Sequence, residues 1–221
     1  MSVIRTITPG ILTVGTYGAF APLCWRDGDK ARGRDIDFLR AFATKSGLEF
    51  TAQFFEFDRI WERPGRDEID VAAASIAPLA SRTSPGMMWS DPYFTVQRSL
   101  LIRSVDRYQL KTMADFGGRV IGVTQGSTAD VDTDARRPLT TRVVYLDDQD
   151  RAVDALLRGE IDGFGTGDVC SEYLADSHPG QLAVSDVHQM EIPETFAFAV
   201  RESGGLLDPL NEFIRTQSNR Y

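Results

Sequence analysis

Residues 68–93 read EIDVAAASIAPLASRTSPGMMWSDPY, a run of small apolar residues that passes into a segment rich in serine and proline. Asp70 to Ala74 is apolar enough to form a buried strand, and the residues that follow are typical of a loop. Arg82 therefore lies just past a strand end, which is where open α/β sheets place ligand groups. A planar guanidinium there can hold a carboxylate with two hydrogen bonds, whereas for an arginine considered alone a surface ion pair is the better explanation.

Composition limits the classes of partner. The chain has 221 residues, of which 42% are hydrophobic and 25% charged, and its formal net charge is −8. These values are ordinary for one large globular domain or two small ones. Binding to nucleic acid requires clustered lysine and arginine, and here the basic residues are scattered. We therefore expect a small solute and no nucleic-acid partner.

The remaining composition signals are weak. No run approaches the roughly 18 apolar residues of a membrane span, and MSVIRTITPG at the start lacks the apolar core of a secretory signal. Cys24 and Cys170 have no neighbours at metal-site spacing; we interpret them as free thiols, with one long-range disulfide as the alternative. His178 and His188 are isolated and predicted to lie in loops. We expect no metal and no cofactor.

The first half of the chain alternates between strand and helix patterns. The patterns predict strands at 11–16, 48–54 and 69–74, a helix at 35–46 and a short helix at 57–63 that ends at Pro64 and Gly65. A βαβαβ order of this kind implies a parallel sheet.

A second α/β unit follows an extended run at 95–103. Its predicted strands lie at 120–124, 143–146 and 161–165, and its predicted helices begin at 127, 149 and 168. A last strand at 196–201 and a helix at 206–216 complete the chain. If that strand returns to the first sheet, the chain crosses between two lobes twice. The segments 102–108 and 193–196 would then form a hinge.

The order of motifs resembles the family 3 solute-binding proteins, the polar amino-acid receptors of ABC transporters. The resemblance covers nearly the whole chain. It implies an α/β fold of two Rossmann-like lobes joined by a two-segment hinge, the type II periplasmic-binding fold, with lobe 1 at 1–103 plus 196–221, lobe 2 at 104–195 and a ligand cleft between them. The matching segments are Gly15-Thr16, Phe20-Ala21-Pro22-Leu23, Gly33-Arg34-Asp35-Ile36-Asp37, Asp70 through Arg82, Trp89-Ser90-Asp91-Pro92-Tyr93, Val120-Ile121-Gly122-Val123, Gln125-Gly126-Ser127-Thr128 and Leu157-Arg158-Gly159-Glu160-Ile161-Asp162.

The resemblance also implies roles for individual residues. Phe20 matches the aromatic residue that covers the ligand, and Arg82 matches the arginine that holds the α-carboxylate. Ser127 and Thr128 match the pair in the second lobe that binds the same carboxylate. The residues themselves agree, because a helix start after Gly126 presents backbone N–H groups and hydroxyls to an anion. A simple N-cap at Ser127 is the alternative.

Four positions near the expected site need separate interpretation. The family usually carries Ser or Thr where this chain has Ala77 and Leu79, so Ser75 is the hydroxyl expected near the ligand. Asp168 falls one place after the family's amine-binding aspartate; glycines in the preceding strand could re-aim it toward a ligand ammonium, or it could cap the following helix. Tyr17 lies beyond a strand end and is a candidate ligand contact, whereas Trp61 fits core packing at least as well.

The expected function is non-enzymatic capture of a small carboxylate-bearing solute, an amino acid or a relative, between two closing lobes for uptake by an ABC transporter. The expected partners are that solute and an ABC permease, and the protein is expected to be a monomer. The resemblance implies a periplasmic location, or an extracellular one at the membrane, with no signal in this chain. Two alternatives stay open: a ligand-sensing domain of a receptor, or a lyase similar to cyclohexadienyl dehydratase. The candidate acids for such a lyase are Asp168, Glu172 and Glu194.

Overall fold

A computed structural model of the chain describes residues 4–185, 187 and 193–218. Its strands are β1 Ile11–Thr16, β2 Ala19–Phe20, β3 Cys24–Asp27, β4 Lys30–Arg32, β5 Glu49–Phe54, β6 Val71–Ile76, β7 Met87–Trp89, β8 Phe94–Val96, β9 Arg98–Arg103, β10 Val120–Val123, β11 Arg142–Tyr145, β12 Gly163–Gly167, β13 Leu182–Val184 and β14 Glu194–Arg201. Its helices are α1 Arg34–Lys45, α2 Thr128–Arg136, α3 Gln149–Leu157, α4 Asp168–Ser177 and α5 Leu207–Ser218. Within the described ranges, no helix has both the length and the apolar character that a membrane crossing requires.

The chain divides into two compact units. The first unit comprises Met1–Thr95 and Thr195–Tyr221, and the second comprises Val96–Glu194. Strand β9, which the sequence analysis placed at the end of the first lobe, pairs with β12 and β13 in the sheet of the second unit. The chain therefore enters the second unit several residues earlier than the sequence pattern indicated.

The sheet of the first unit has the strand order β5-β1-β6-β14-β7, with β8 also paired to β14. Strand β1 is parallel to both β5 and β6, as the βαβαβ pattern predicts. Strand β14 lies antiparallel to β6 and β7. The last strand of the chain therefore returns to the first sheet, as the sequence predicts.

Helix α1 covers one face of this sheet because its apolar residues recur at helical spacing. Leu39, Phe42 and Ala43 are buried against β1, β6 and β14, and Leu210 and Phe213 of α5 complete the same core. Because both helices bury an apolar stripe here, the opposite face of β6 is left to pack against the segment 55–62.

The sheet of the second unit has the order β11-β10-β12-β9-β13. Strand β10 is parallel to β11 and β12, whereas β9 is antiparallel to β12 and β13. Helix α3 buries Ala152, Val153 and Leu156 against Phe164 of β12. His178 lies at the end of α4, where its Nδ1 is 2.9 Å from the Leu174 carbonyl oxygen. The predicted loop residue His188 falls outside the described residues.

The sequence pattern missed several short elements. Strands β2, β3 and β4 form a separate three-stranded sheet between residues 19 and 32, and β7 and β13 were also not predicted. Runs of two to four residues are too short to display a hydrophobic period. The helix predicted at 57–63 was wrong: the chain makes two 3₁₀ turns, Ile60–Glu62 and Pro64–Arg66. Arg59, at φ 57°, is left-handed and interrupts a continuous helix.

Gly33, immediately before α1, has a backbone conformation that only glycine tolerates. Its φ is 114° and its ψ is 171°, and a Cβ there would lie 2.3 Å from the carbonyl oxygen of Leu23. Gly28 is a matched comparison, because its φ is 59° and a Cβ would meet nothing within 4 Å.

We expect Gly33→Ala to lower the free energy of unfolding by about 3 kcal/mol, because it adds backbone strain and a clash with main-chain atoms. Gly28→Ala should cost only about 1 kcal/mol, because the left-handed region is strained but accessible to alanine. Urea denaturation followed by circular dichroism measures both. Equal losses in the two variants would contradict this account.

Candidate functional site

Arg82 lies in a 3₁₀ turn, Ala80–Arg82, that follows β6. The residue is 4% exposed. Its Nη1 donates to the carbonyl oxygen of Ala77 at 3.2 Å, and its backbone N–H donates to the carbonyl oxygen of Leu79 at 2.9 Å. The loop that carries Arg82 thus folds back on itself and holds the guanidinium in place.

Aromatic rings surround this guanidinium. Its central carbon lies 4.9 Å from the ring centroid of Trp61 and 5.5 Å from that of Phe57. Phe57 in turn makes edge contacts with Trp61 at 6.0 Å and with Tyr17 at 5.9 Å. We refer to Arg82, Phe57, Trp61 and Tyr17 as the Arg82 cluster. Trp61 is buried, as core packing requires, and its ring also contacts the guanidinium.

Burial changes the electrostatics of Arg82. Removal from water disfavours the charged form and lowers the pKa of Arg82 to about 10. The group still carries its charge at neutral pH. The faces of the two rings compensate part of the desolvation cost, because a ring face attracts a cation. The arrangement places a fixed, poorly hydrated positive charge at the end of a strand.

Two other predicted ligand contacts lie in the same unit. Phe20 is in β2, directly opposite Cys24 of β3, and packs, half-buried, against the apolar cluster that contains Tyr17 and Trp61. Ser75 is buried in β6, and its hydroxyl donates to Asp35 at 3.0 Å. The proton of the Ser75 hydroxyl is therefore already engaged within the protein.

Asp35 of α1 is fully buried and accepts three hydrogen bonds. Its Oδ2 accepts from the Ser75 backbone N–H at 2.7 Å and from the Ser75 hydroxyl at 3.0 Å. Its Oδ1 accepts from the Tyr93 hydroxyl at 2.6 Å. We refer to Asp35, Ser75 and Tyr93 as the Asp35 cluster. It joins α1, the end of β6 and the segment between β7 and β8.

The pKa values in the Asp35 cluster reflect this burial. Desolvation raises the pKa of Asp35 from 3.8 to about 6, although the hydrogen bonds from Tyr93 and Ser75 and the charge of Arg34 oppose the rise. Burial and the neighbouring carboxylate raise the pKa of the Tyr93 phenol well above its ordinary value. Asp35 thus ionises near pH 6 while Tyr93 stays protonated.

Sequence reasoning did not identify Asp35 and Tyr93 as part of the site. Both residues lie in segments that match the family, but neither segment predicted a role for them in the site. A signal was present, because Asp35 precedes Leu39 by four residues and Phe42 by seven, so it lies on the apolar stripe of α1. A carboxylate on a buried stripe requires partners.

In the second unit, Ser127 is the N-cap of α2, as the alternative interpretation proposed. Its hydroxyl oxygen accepts from the N–H of Asp130 at 3.1 Å, and the Asp130 carboxylate accepts from the N–H of Gly126 at 3.0 Å. Thr128 opens the helix, where the first N–H groups have no acceptor within the helix. An anion could still be bound at this end.

Asp168 is the first residue of α4, and Gly167 occupies the N-cap position. The alternative prediction, that Asp168 is the N-cap of this helix, is therefore wrong. Its Oδ1 accepts from the N–H of the next residue, Val169, at 2.8 Å, and its own N–H donates to the carbonyl oxygen of Gln97 at 2.9 Å. The side chain is partly exposed at the junction of β12 and α4.

The other acids considered for catalysis have structural surroundings. Glu194 is buried in an ion pair with Arg98 inside the second unit, and Glu172 is exposed on α4. Cys24 and Cys170 are both buried thiols outside any disulfide, one in each unit. Among the described residues, no group of three or more His, Cys, Asp or Glu side chains is placed to hold a metal ion.

Comparison with known proteins shows that the chain is similar to solute-binding proteins. Residues 12–220 match the bacterial extracellular solute-binding proteins, family 3. The arginine-binding extracellular protein ArtP of Bacillus subtilis (strain 168) is 22% identical over 210 residues, which cover 92% of this chain and 79% of ArtP. The L-cystine-binding protein TcyA of the same organism is 23% identical over 210 residues, which cover 93% of this chain and 75% of TcyA.

Solved structures share the fold. An ancestral arginine-binding protein bound to arginine superposes with a TM-score of 0.85 at 25% identity, covering 98% of this chain and 94% of that chain. An amino acid ABC transporter substrate-binding protein, AbpA of Streptococcus pneumoniae, superposes with a TM-score of 0.86 at 20% identity, covering 96% of this chain and 90% of that chain. The fold is therefore the type II periplasmic-binding fold that the sequence predicts.

Asp35 makes stability depend on pH in a defined direction. Its pKa is higher in the folded protein than the 3.8 of an exposed aspartate, so the folded state binds the proton more tightly than the unfolded state. The stabilisation from this protonation is fully present below about pH 4 and is lost as the pH rises through about 6.

We expect the free energy of unfolding of Asp35→Asn, measured relative to that of wild type, to rise by roughly 3 kcal/mol between pH 4 and pH 7. The reason is that the amide never ionises. Urea titrations at several pH values measure this difference. Asp37→Asn, on the exposed side of the same helix, is the control and should follow wild type. A pH-independent difference for Asp35→Asn would refute the raised pKa.

Proposed function

The chain belongs to the bacterial extracellular solute-binding proteins of family 3, and on that premise we propose that it captures an α-amino acid, or a close relative that keeps the carboxylate, for uptake by an ABC transporter. The protein acts outside the cytoplasmic membrane and hands its ligand to a permease. It binds without chemical conversion and works as a monomer.

The observation that carries this proposal is the buried guanidinium of Arg82. A cation that is 4% exposed and stacked on Trp61 has lost most of its hydration, so a carboxylate that reaches it forms a stronger ion pair than in water. The planar fork of arginine matches the two oxygens of a carboxylate. Arg82 is therefore the proposed anchor for the α-carboxylate.

The rings of the Arg82 cluster suit the rest of such a ligand. Tyr17 and Phe57 lie edge to face, and Phe20 packs against the same apolar cluster. Aromatic faces accept both aliphatic chains and planar cationic groups. Tyr17 and Phe20 are the proposed contacts to the ligand side chain. Ser75 is a proposed ligand contact that can only accept a hydrogen bond, through a lone pair of its hydroxyl oxygen, because its hydroxyl proton is donated to Asp35.

The second unit supplies two further proposed contacts. Ser127 and Thr128, at the start of α2, offer N–H groups and a hydroxyl at the positive end of a helix, which favours an anion. Asp168 offers a carboxylate at the start of α4, which favours an ammonium group. Together these residue types are complementary to the zwitterionic end of an amino acid.

The relatives support the class of ligand. Their names describe binding of arginine and L-cystine, and the ancestral protein was solved with arginine and also with glutamine. All these ligands share an α-carboxylate and an α-ammonium group and differ in the side chain. The class proposed for this protein is accordingly the L-α-amino acid.

A thermal-shift screen of the purified protein against the proteinogenic amino acids tests the proposal. At least one amino acid should raise the melting temperature, because ligand that binds only the folded state stabilises it by mass action. The carboxamide of the same amino acid should have no effect. The screen also includes the des-amino analogues of these amino acids, and failure of every compound would refute the proposal. Steady consumption of the ligand, or turnover of prephenate or arogenate, would indicate an enzyme instead.

Arg82→Ala should weaken binding of the amino acid found in the screen by more than about 30-fold, because losing one partner of a desolvated charge pair costs roughly 2–5 kcal/mol. Arg82→Lys should recover only part of the affinity, since a point charge cannot pair with both oxygens. Isothermal titration calorimetry measures both. Arg66→Ala, an exposed arginine paired with Glu62, is the control and should bind normally. Unchanged affinity in a folded Arg82→Ala protein would exclude Arg82 as the anchor.

Asp168→Asn separates a ligand contact from a purely local role. Asparagine keeps an oxygen that can accept from the N–H of Val169 but loses the negative charge. If Asp168 binds the ligand ammonium, affinity for the amino acid should fall by about 10-fold or more, while affinity for its des-amino analogue should not change. Asp176→Asn, exposed on the same helix, is the control. Equal affinities for the amino acid would leave Asp168 only its hydrogen bond to Val169.

A further inference from the structure

Asp35 and Tyr93 have no role in the contacts proposed above, yet the Asp35 cluster is built around a charge that is fully removed from water. Asp35 lies on α1, and its hydrogen-bond donors come from two other segments, at Ser75 and Tyr93. The carboxylate is not required to bury apolar surface, and placing a charge there is costly. The cluster must therefore be explained by what the carboxylate holds in place.

Ser75 is the residue that Asp35 holds most directly. Its φ is +50°, a left-handed conformation that costs a residue with a Cβ roughly 1–2 kcal/mol. Two hydrogen bonds to the same carboxylate oxygen, from the backbone N–H and from the hydroxyl, fix this conformation. The strained turn sits one residue before the end of β6, where the chain leaves the sheet.

The chain that leaves the sheet at this turn carries Arg82. The guanidinium is anchored to the carbonyl oxygen of Ala77, two residues after Ser75, and the backbone of Arg82 is anchored to that of Leu79. Both anchors belong to the segment whose direction the turn at Ser75 sets. A change at Ser75 therefore moves the groups that hold Arg82.

We propose that Asp35 is a positioning residue for Arg82: its carboxylate fixes the left-handed turn at Ser75 and thereby the segment 75–82, and its protonation in mild acid loosens that segment and weakens ligand binding. This inference rests on the proposed role of Arg82 in ligand binding. It adds a dependence on pH to the binding that Arg82 mediates.

The surroundings of Asp35 support a response between pH 5 and pH 7. Burial raises the pKa of Asp35 to about 6. From the segment between β7 and β8 it faces the Tyr93 phenol, whose pKa is raised well above 10. On its own helix it experiences the positive charge of Arg34. The Cys24 thiol of β3 acts electrostatically on Tyr93, and β6 contributes the Ser75 hydroxyl and N–H as donors to Asp35.

Protonation changes the hydrogen bonds in a specific way. The ionised carboxylate accepts from all three donors, and hydrogen bonds to an ionised acceptor are about twice as strong as neutral ones. The neutral acid has a proton of its own, so one oxygen must become a donor. Ser75 then loses part of the interaction that offsets its strained conformation, and the turn becomes free to relax.

Nuclear magnetic resonance tests the inference without any ligand. In the wild-type protein, the backbone amide of Ser75 and the side-chain Nε–H of Arg82 should titrate together with a midpoint near pH 6. Asp35→Asn should abolish both titrations. Tyr93→Phe removes a donor that lowers the pKa of Asp35, so both midpoints should move to higher pH. The exposed-residue control, Asp37→Asn, should match wild type.

Isothermal titration calorimetry with L-arginine as the probe completes the experiment. Wild-type affinity should fall by about 10-fold between pH 7.5 and pH 5, and the affinity of Asp35→Asn should not depend on pH over that range. An Asp35→Asn protein that retains the wild-type pH dependence, or an Arg82 signal that does not follow the Ser75 titration, would overturn the proposal.

The experiment still tests the role of Asp35 if the Asp35→Asn variant does not fold or if L-arginine does not bind. If Asp35→Asn does not fold, the shift of the midpoint in Tyr93→Phe decides the role of Asp35, and an unshifted midpoint counts against it. If L-arginine does not bind at any pH, the ligand-free titrations of Ser75 and Arg82 still decide it. Failure of every compound in the screen would refute the proposed function separately.

Discussion

The first unit depends on the burial of one carboxylate. Asp35 is 0% exposed, and its two oxygens accept from Ser75 and Tyr93. A buried charge without donors would cost several kcal/mol, so α1, the end of β6 and the segment after β7 can come together only in the arrangement that supplies these donors. Apolar contacts alone would tolerate small shifts between the same elements. The carboxylate thus ties α1, the end of β6 and the segment after β7 to one another.

The neighbouring motifs serve the same arrangement. Gly33 allows the main chain to pass close to Leu23 before α1 begins, which delivers Asp35 to the sheet. Tyr93 stacks on Phe198 with ring centroids 3.9 Å apart, which fixes the direction of its hydroxyl. Ser90 exchanges hydrogen bonds with the backbone of Phe198. The motifs that contain Gly33, Ser90 and Tyr93 therefore support the Asp35 cluster.

The two units stabilise charge in different ways. In the first unit, the guanidinium of Arg82 is stacked on aromatic rings and its pKa is lowered. In the second unit, Arg98 and Glu194 form a buried ion pair at the two points where the chain enters and leaves the unit. Losing either partner of such a pair leaves an uncompensated buried charge. The pair therefore fastens the two chain ends of the second unit together, whereas the Arg82 cluster keeps a cation at a strand end.

The amino-acid sequence alone was sufficient for the order of the long elements and for the position of Arg82 after β6. These features follow from hydrophobic periodicity and from turn residues, both of which are local properties. The return of the last strand to the first sheet was implied by the family resemblance, because local periodicity does not assign the partner of a strand. The short strands β2, β3 and β4, the two 3₁₀ turns at 60–66 and the entry of β9 into the second sheet were not predictable. They are held by contacts with distant residues and lack a period of their own. The tertiary structure alone brings Ser75 and Tyr93 to Asp35 across 40 and 58 residues of chain. No local sequence pattern predicts these contacts, because they depend on how α1 packs on the sheet. That packing places Ser75 where it donates its hydrogen bonds to the Asp35 carboxylate.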